Sequence, residues 1–168
     1  MKNLIILLLT IIIVSSCKNN YTEEQDEHIN NFPVEVREIV REFLKEGKDR
    51  GHKLNIKKIH HIYLVDKITR AKYLEAGCYD HHDHSIYIDT TNFEWSALSG
   101  KEMLLYHELG HGLLHKKHDN ILFKDGLNPA SIMNCCTLPY WNEQTIYKRS
   151  YYIDQIFNEN TLPPQWAM

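Results

Sequence analysis

The chain carries no strong charge of either sign: 19 basic and 22 acidic side chains in 168 residues leave −3. That balance gives no broad electrostatic reason to expect a nucleic acid partner. It has no internal repeat and no low-complexity block. It also lacks a run of the roughly 20 apolar residues that a helix needs to cross a bilayer. A length of 168 residues suits a single domain, so a second independent core is not expected. Cysteine is scarce, with four copies, whereas histidine is plentiful, with 11.

The longest apolar stretch is Leu4 to Val14, broken only by Thr10. It is too short to span a membrane but suits the core of an export signal. The residues that follow, Val14-Ser15-Ser16-Cys17, resemble the lipobox of bacterial lipoproteins. That resemblance implies cleavage before Cys17 and lipidation of its thiol, holding an exported protein on the outer face of a bacterial membrane. Residues 18 to 31, KNNYTEEQDEHINN, are polar and almost free of aliphatics, a composition that does not offset the entropy of ordering. The expected organisation is therefore a signal peptide over residues 1–16, a lipidated Cys17 with a flexible tether to residue 31, and one domain over 32–168. Three cysteines remain, Cys78, Cys135 and Cys136. In an oxidising compartment Cys78 would pair with Cys135 or Cys136, and the alternative is three buried, reduced cysteines.

From Pro33 the pattern changes. Val36, Ile39, Val40, Phe43 and Leu44 recur at helical spacing, framed by Pro33 and Gly47, which predicts an amphipathic helix. Residues 54–65 and 84–89 are β-branched and aromatic with partial alternation and read as strands, with a short strand expected over Lys72 to Leu74. Ser99-x-x-Glu102 has the form of a capping box, placing a helix start near Gly100. Met103, Leu104, Leu105, Tyr106, Leu109, Leu113 and Leu114 occupy most of that helix's circumference, so it should be buried on nearly all sides. A last helix is expected from Glu143 to Phe157, capped by Asn142. The order of elements makes the fold class α+β.

Within the buried helix stands His107-Glu108-x-x-His111. Residues four apart lie one turn along the same face, so two imidazoles can converge on one metal ion. Glu108, beside the first of them, is placed to act as a base toward water rather than as a ligand. With 11 His and 13 Glu in the chain, shuffling yields this pattern about 0.05 times per sequence. A catalytic zinc usually takes three protein ligands, and the residues leave three candidates for the third. His115 continues the stripe but sits about 12 Å along a regular helix from His107. His118 requires the helix to end and the chain to turn back. Glu143 would come from the last helix.

His107 to Asp119, followed by Ser131-Ile132-Met133, resembles the metzincin metallopeptidases, whose pattern is H-E-x-x-H-x-x-G-x-x-H with a downstream Met-turn. The resemblance implies a zincin-like fold: a small twisted sheet packed on an N-terminal helix and a buried active-site helix, with a C-terminal helix after the Met-turn segment. It implies zinc held by His107, His111 and His118, Glu108 as general base of a metalloendopeptidase, and Met133 beneath the metal. It further implies that the strand around Ile86 is a sheet edge that pairs with an extended peptide or protein substrate. Two departures stand out. The third His comes at 118, where the pattern asks for 117, and Leu114 replaces the helix-ending glycine; a helix running one turn further is the expected consequence. The alternative function is a non-catalytic metal-binding surface lipoprotein. A monomer is expected in either case.

Remaining features read more plainly. Asp80-His81-His82-Asp83-His84 reads first as a polar loop and second as another metal site or the rim of the cleft, and His60-His61 reads as strand surface. Among Tyr140, Tyr147, Tyr151 and Tyr152, one is a candidate oxyanion donor, the rest packing residues. Asp119 is a candidate acceptor orienting the His118 ring.

Overall fold

In α2, Val34–Asp49, the buried residues Val36, Val40, Phe43, Leu44 and Gly47 follow one another at intervals of four, three, one and three, which is one face of a helix. The structure is a computed structural model that describes residues 22–70, 73–92, 98–136, 139 and 145–168. Pro33 stands at the N-cap, as its fixed φ favours. Gly47 does not end the helix. A Cβ there would lie 2.6 Å from Leu54 Cδ1 and 3.0 Å from Phe157 Cε1, so the glycine serves close packing, and Gly51, at φ +83°, turns the chain instead.

The tether expected up to residue 31 is shortened by a helix. Glu23–Ile29 form α1, whose N-cap Thr22 accepts a hydrogen bond from the Gln25 amide. The helix is fastened along its length. Ile29 is wholly buried, the His28 Nε2–H donates to the Ile59 carbonyl at 2.8 Å, Lys57 pairs with Glu24, and Arg41 of α2 holds both Asp26 and Asn30. The polar composition concealed one anchoring isoleucine and a set of partners distant in sequence. Cys17 and the segment before it lie outside the described residues.

The strands are β1 (Ile62–Val65), β2 (Ile68–Arg70), β3 (Tyr73–Glu75), β4 (Gly77–Asp80) and β5 (Ser85–Asp89). β2 and β3 pair as an antiparallel hairpin, while the main sheet has the order β1-β5-β4 with β1 parallel and β4 antiparallel to β5. Its buried face carries Ile62, Ile86 and Tyr79 in one register row and Leu64 and Ile88 in the next. Tyr63 and Tyr87 stack on the opposite face. Two expectations change here. The first strand is only four residues long, because Asn55 accepts from the Lys57 amide and starts a 3₁₀ turn over Ile56–Lys58. The strand around Ile86 is central, not an edge: β1 lies on one side and β4 on the other, and Ile86 and Ile88 are fully buried. Among the described residues the free edges belong to β1 and β4.

The buried helix α3 runs Leu98–Leu114 and α4 runs Tyr147–Phe157. Ser99 therefore lies inside α3 rather than at its cap. Glu102, the other half of the expected capping box, instead takes the Arg149 guanidinium at 2.6 and 2.9 Å. Arg149 also reaches Glu46 at 3.0 Å, so one α4 side chain bridges α3 and α2. Asn142, Glu143 and Tyr140 lie outside the described residues. Cys78, buried in β4, is not disulfide-bonded to Cys135 or Cys136, which are exposed, so the bridge expected from Cys78 is not formed. No helix among the described residues is long and apolar enough to cross a membrane. The class is α+β: among the described residues, four α-helices lie around a small mixed sheet and a hydrophobic core.

Candidate metal centre

Residues 103–110 of α3 are all buried, so His107 and Glu108 are carried into the interior by the leucines around them. His111 follows one turn later. The helix stops at Leu114, and His115 takes the left-handed conformation at φ +56°. That conformation ends a helix and is commonest in glycine, although histidine adopts it more readily than most residues. The Lys116 amide then donates back to the Gly110 carbonyl at 3.1 Å, and the Lys116 carbonyl accepts from His111 Nδ1–H at 2.7 Å. The expected extra turn of helix is absent. One non-glycine residue in the left-handed region brings the chain back at once.

The turn delivers His118. Its Nε2 lies 3.2 Å from His107 Nε2 and 3.2 Å from His111 Nε2, and the latter two are 3.0 Å apart. Among the described residues these three side chains form the group that could hold a metal ion. His115 is not part of it, and Glu143 falls outside the described residues. Three nitrogens around a tetrahedral ion at 2.0 to 2.1 Å sit about 3.3 Å from one another, so the observed triangle has the required size.

The hydrogen bonds around the rings fix their chemistry. His107 Nδ1–H donates to the Ile132 carbonyl at 2.8 Å, and His111 Nδ1–H to Lys116, as above. Both rings thus expose a bare Nε2 lone pair to the other at 3.0 Å. Two acceptors cannot hydrogen-bond each other, and a cation between them removes the repulsion. Burial pushes His107 down to about 3 against the raising effect of the Ile132 carbonyl, and the neighbouring His111 and His118 push the same way. Burial likewise lowers His111. Neutral imidazoles are the ligand form, so the rings as they stand could hold a metal ion.

The floor is the segment 129–133. Met133 is buried, and a Cβ on Gly110 would stand 2.7 Å from its Sδ, so the thioether lies against α3 between the two helical histidines in sequence. The Met133 amide donates to Ser131 Oγ, whose hydroxyl donates to Gln155 Oε1. Tyr151 and Tyr152 donate their hydroxyls to the Ala130 and Pro129 carbonyls, each at 2.8 Å. These two tyrosines hold the floor and are not oxyanion donors. The Asp119 amide donates to the Met133 carbonyl, and its carboxylate accepts from the Ile121 amide rather than orienting His118.

Glu108 is buried, at 3% exposure. Its Oε1 would lie 2.8 Å from a Cβ on Gly77, which puts the carboxylate against the edge strand β4. Gly77 is a site residue that sequence reasoning missed; its signal was a glycine at the start of a β-rich stretch, where a close approach is a common reason. In the loop after β4, Asp80 accepts from the His82 amide, and Asp83 from the Ser85 amide and the Tyr87 hydroxyl. Those carboxylates build the turn, and no second metal group is found among the described residues.

No protein-family model, no curated protein and no solved structure matches the chain, so the centre is read from its own atoms.

Proposed function

We propose that this chain is a zinc-dependent metalloendopeptidase of zincin-like fold, held at a bacterial membrane surface through lipidated Cys17. The observation that carries the reading is the pairing of a three-histidine group with a buried glutamate next in sequence to one of them, the glutamate lying against β4, an edge strand among the described residues. A storage site has no use for that carboxylate. The metzincin-like spacing also becomes easier to understand. In the motif, the helix-ending glycine stands three residues before the last histidine, and here the left-handed His115 stands three before His118. The late third histidine and the missing glycine are thus one change, a helix longer by one residue.

In this reading His107, His111 and His118 hold the ion, with the Ile132 and Lys116 carbonyls fixing two of the rings. Zinc so held polarises a carbonyl and acidifies water. Glu108 takes the proton of the attacking water and passes it to the leaving amine. The substrate strand pairs with β4, the edge that flanks Glu108, instead of with the strand of Ile86. Ser131, Met133 and the α4 tyrosines keep the floor in place.

The test is metal analysis of the protein together with mass-spectrometric cleavage of a peptide library, comparing the wild type with Glu108→Gln. One equivalent of zinc in both, with cleavage only in the wild type, supports the reading. Metal without cleavage in either leaves the non-catalytic metal-binding lipoprotein, and cleavage by metal-loaded Glu108→Gln overturns the assignment of the base.

A further inference from the structure

Cys135 and Cys136 stand shortly after the floor residue Met133. In an extended segment neighbouring side chains point to opposite faces, but here the chain bends at both cysteines. Buried Asn134 builds the bend. Its amide donates to the Ser131 carbonyl at 3.3 Å, and its Oδ1 accepts from the Cys136 amide at 3.0 Å. The two side chains are exposed, and hydrogen bonding with the Cys135 side chain raises the Cys136 thiol above its ordinary range. Two adjacent sulfurs are thus turned toward each other at the surface, while Cys78 is shut away in β4.

The segment that carries the pair is laced to the one that carries the third histidine. The Asp119 amide donates to the Met133 carbonyl at 2.9 Å, and the Cys135 amide donates to Asn120 Oδ1 at 2.9 Å. Asp119 and Asn120 are the two residues that follow His118. A change of backbone at Cys135 therefore reaches the loop that holds His118.

Adjacent Cα atoms lie about 3.8 Å apart across a trans peptide, whereas disulfides usually span about 4.4 to 6.8 Å. A bond between neighbours is strained, and strained or exposed disulfides are the readily reduced, regulatory ones rather than structural staples. We propose that Cys135 and Cys136 are a reversible oxidation site, closed to a disulfide by a low-molecular-weight disulfide, and that closure loosens the hold on His118. One thiolate attacks the small disulfide and expels one of its thiols. The neighbouring thiolate then attacks the protein sulfur of that mixed disulfide and expels the second. The pair gives up two protons and two electrons, and the small disulfide becomes two thiols. Closing the ring reorients the peptide between the cysteines, whose N–H Asn134 holds, and draws the Cys135 amide away from Asn120. The proposal rests on metal binding by the three histidines and not on hydrolysis.

The experiment equilibrates the zinc-loaded full-length protein in glutathione buffers from fully reduced to fully oxidised. Peptide mapping by mass spectrometry locates any bond, and competition with a chromophoric chelator reads zinc affinity. The oxidised protein should lose two hydrogens in the peptide that holds both cysteines, regain them with dithiothreitol, and bind zinc about ten-fold more weakly, the lower figure for disturbing groups that orient metal ligands. Cys136→Ser should bind zinc as the reduced wild type does in every buffer. Asn120→Ala, which cuts the tie, should bind it about ten-fold more weakly with the pair open or closed. The proposal is overturned if the oxidised protein stops at a mixed disulfide or bonds Cys78 instead, or if the ring closes with zinc affinity unchanged. A wild type that holds no zinc in either buffer overturns it as well. So does weaker zinc binding by Cys136→Ser in reducing buffer, because the sulfurs would then be ligands themselves.

Discussion

His111 and Lys116 are joined by a 2.7 Å hydrogen bond from the ring Nδ1–H to the backbone carbonyl, so the second histidine of the centre is held by the turn that delivers the third. Positioning of His111 and His118 therefore depends on one backbone reversal at His115.

That reversal is testable by His115→Gly. A non-glycine residue in the left-handed region costs about 1 to 2 kcal/mol, part of which glycine's greater freedom in the unfolded chain takes back. His115→Gly should leave stability unchanged or raise it by up to about 1 kcal/mol in urea unfolding, with metal affinity kept. The β-branched His115→Val should destabilise the protein and weaken metal binding. Equal metal affinity in the valine variant would show that the turn does not depend on this conformation.

Gly77→Ala probes the contact between β4 and Glu108. The new methyl would lie 2.8 Å from Glu108 Oε1 and 2.9 Å from Leu104 Cδ1. Overpacking of this kind costs about 1 to 3 kcal/mol, and displacing the carboxylate should cut hydrolysis more than ten-fold, while zinc analysis still finds one equivalent.

The metal-free protein should lose stability in acid through His107. Its ring is held at about 3 by burial, below the ordinary value near 6.5. Below pH 6.5 the unfolded chain takes up a proton that the native ring refuses, so stability is full above that pH. It falls as the pH drops towards 3, by at most about 1.4 kcal/mol per unit from this group. Urea unfolding between pH 7 and 4 measures the slope, and His107→Asn should flatten it.

Arg149→Met leaves the Glu46 and Glu102 carboxylates without the partner they share. Removing one member of a largely buried ionic group costs about 3 to 5 kcal/mol, and partial exposure of these side chains should put the loss near the lower figure. The triple variant that also carries Glu46→Gln and Glu102→Gln should recover part of it. If the single variant is as stable as the wild type, the network is not what holds α4 to α2 and α3.

The amphipathic face of α2, the buried α3 and the His107, Glu108 and His111 unit could be read from spacing alone, because helical periodicity is a local property. What stayed hidden depended on partners far along the chain. Ile29 and Thr22 make a helix of an acidic segment only because α2 and the 3₁₀ turn receive it. Alternation around Ile86 marks a strand with a buried face but carries no information about which strands flank it, so its central position could not be read. The third histidine of the group turned on His115, whose left-handed backbone no local pattern announces. Ser99 and Glu102 had the spacing of a cap, but Arg149, 47 residues further on than Glu102, is the partner the carboxylate takes.

The folding of α1 onto the domain sets a leash. With Cys17 as the proposed anchor, four residues, and so five Cα-to-Cα steps, separate it from Thr22, where the described chain begins. Fully extended they reach no more than about 18 Å. On the proposed reading a protein so tied would act within a thin layer above its own bilayer, and its substrates would have to come to that layer: neighbours on the same surface, or chains emerging through it.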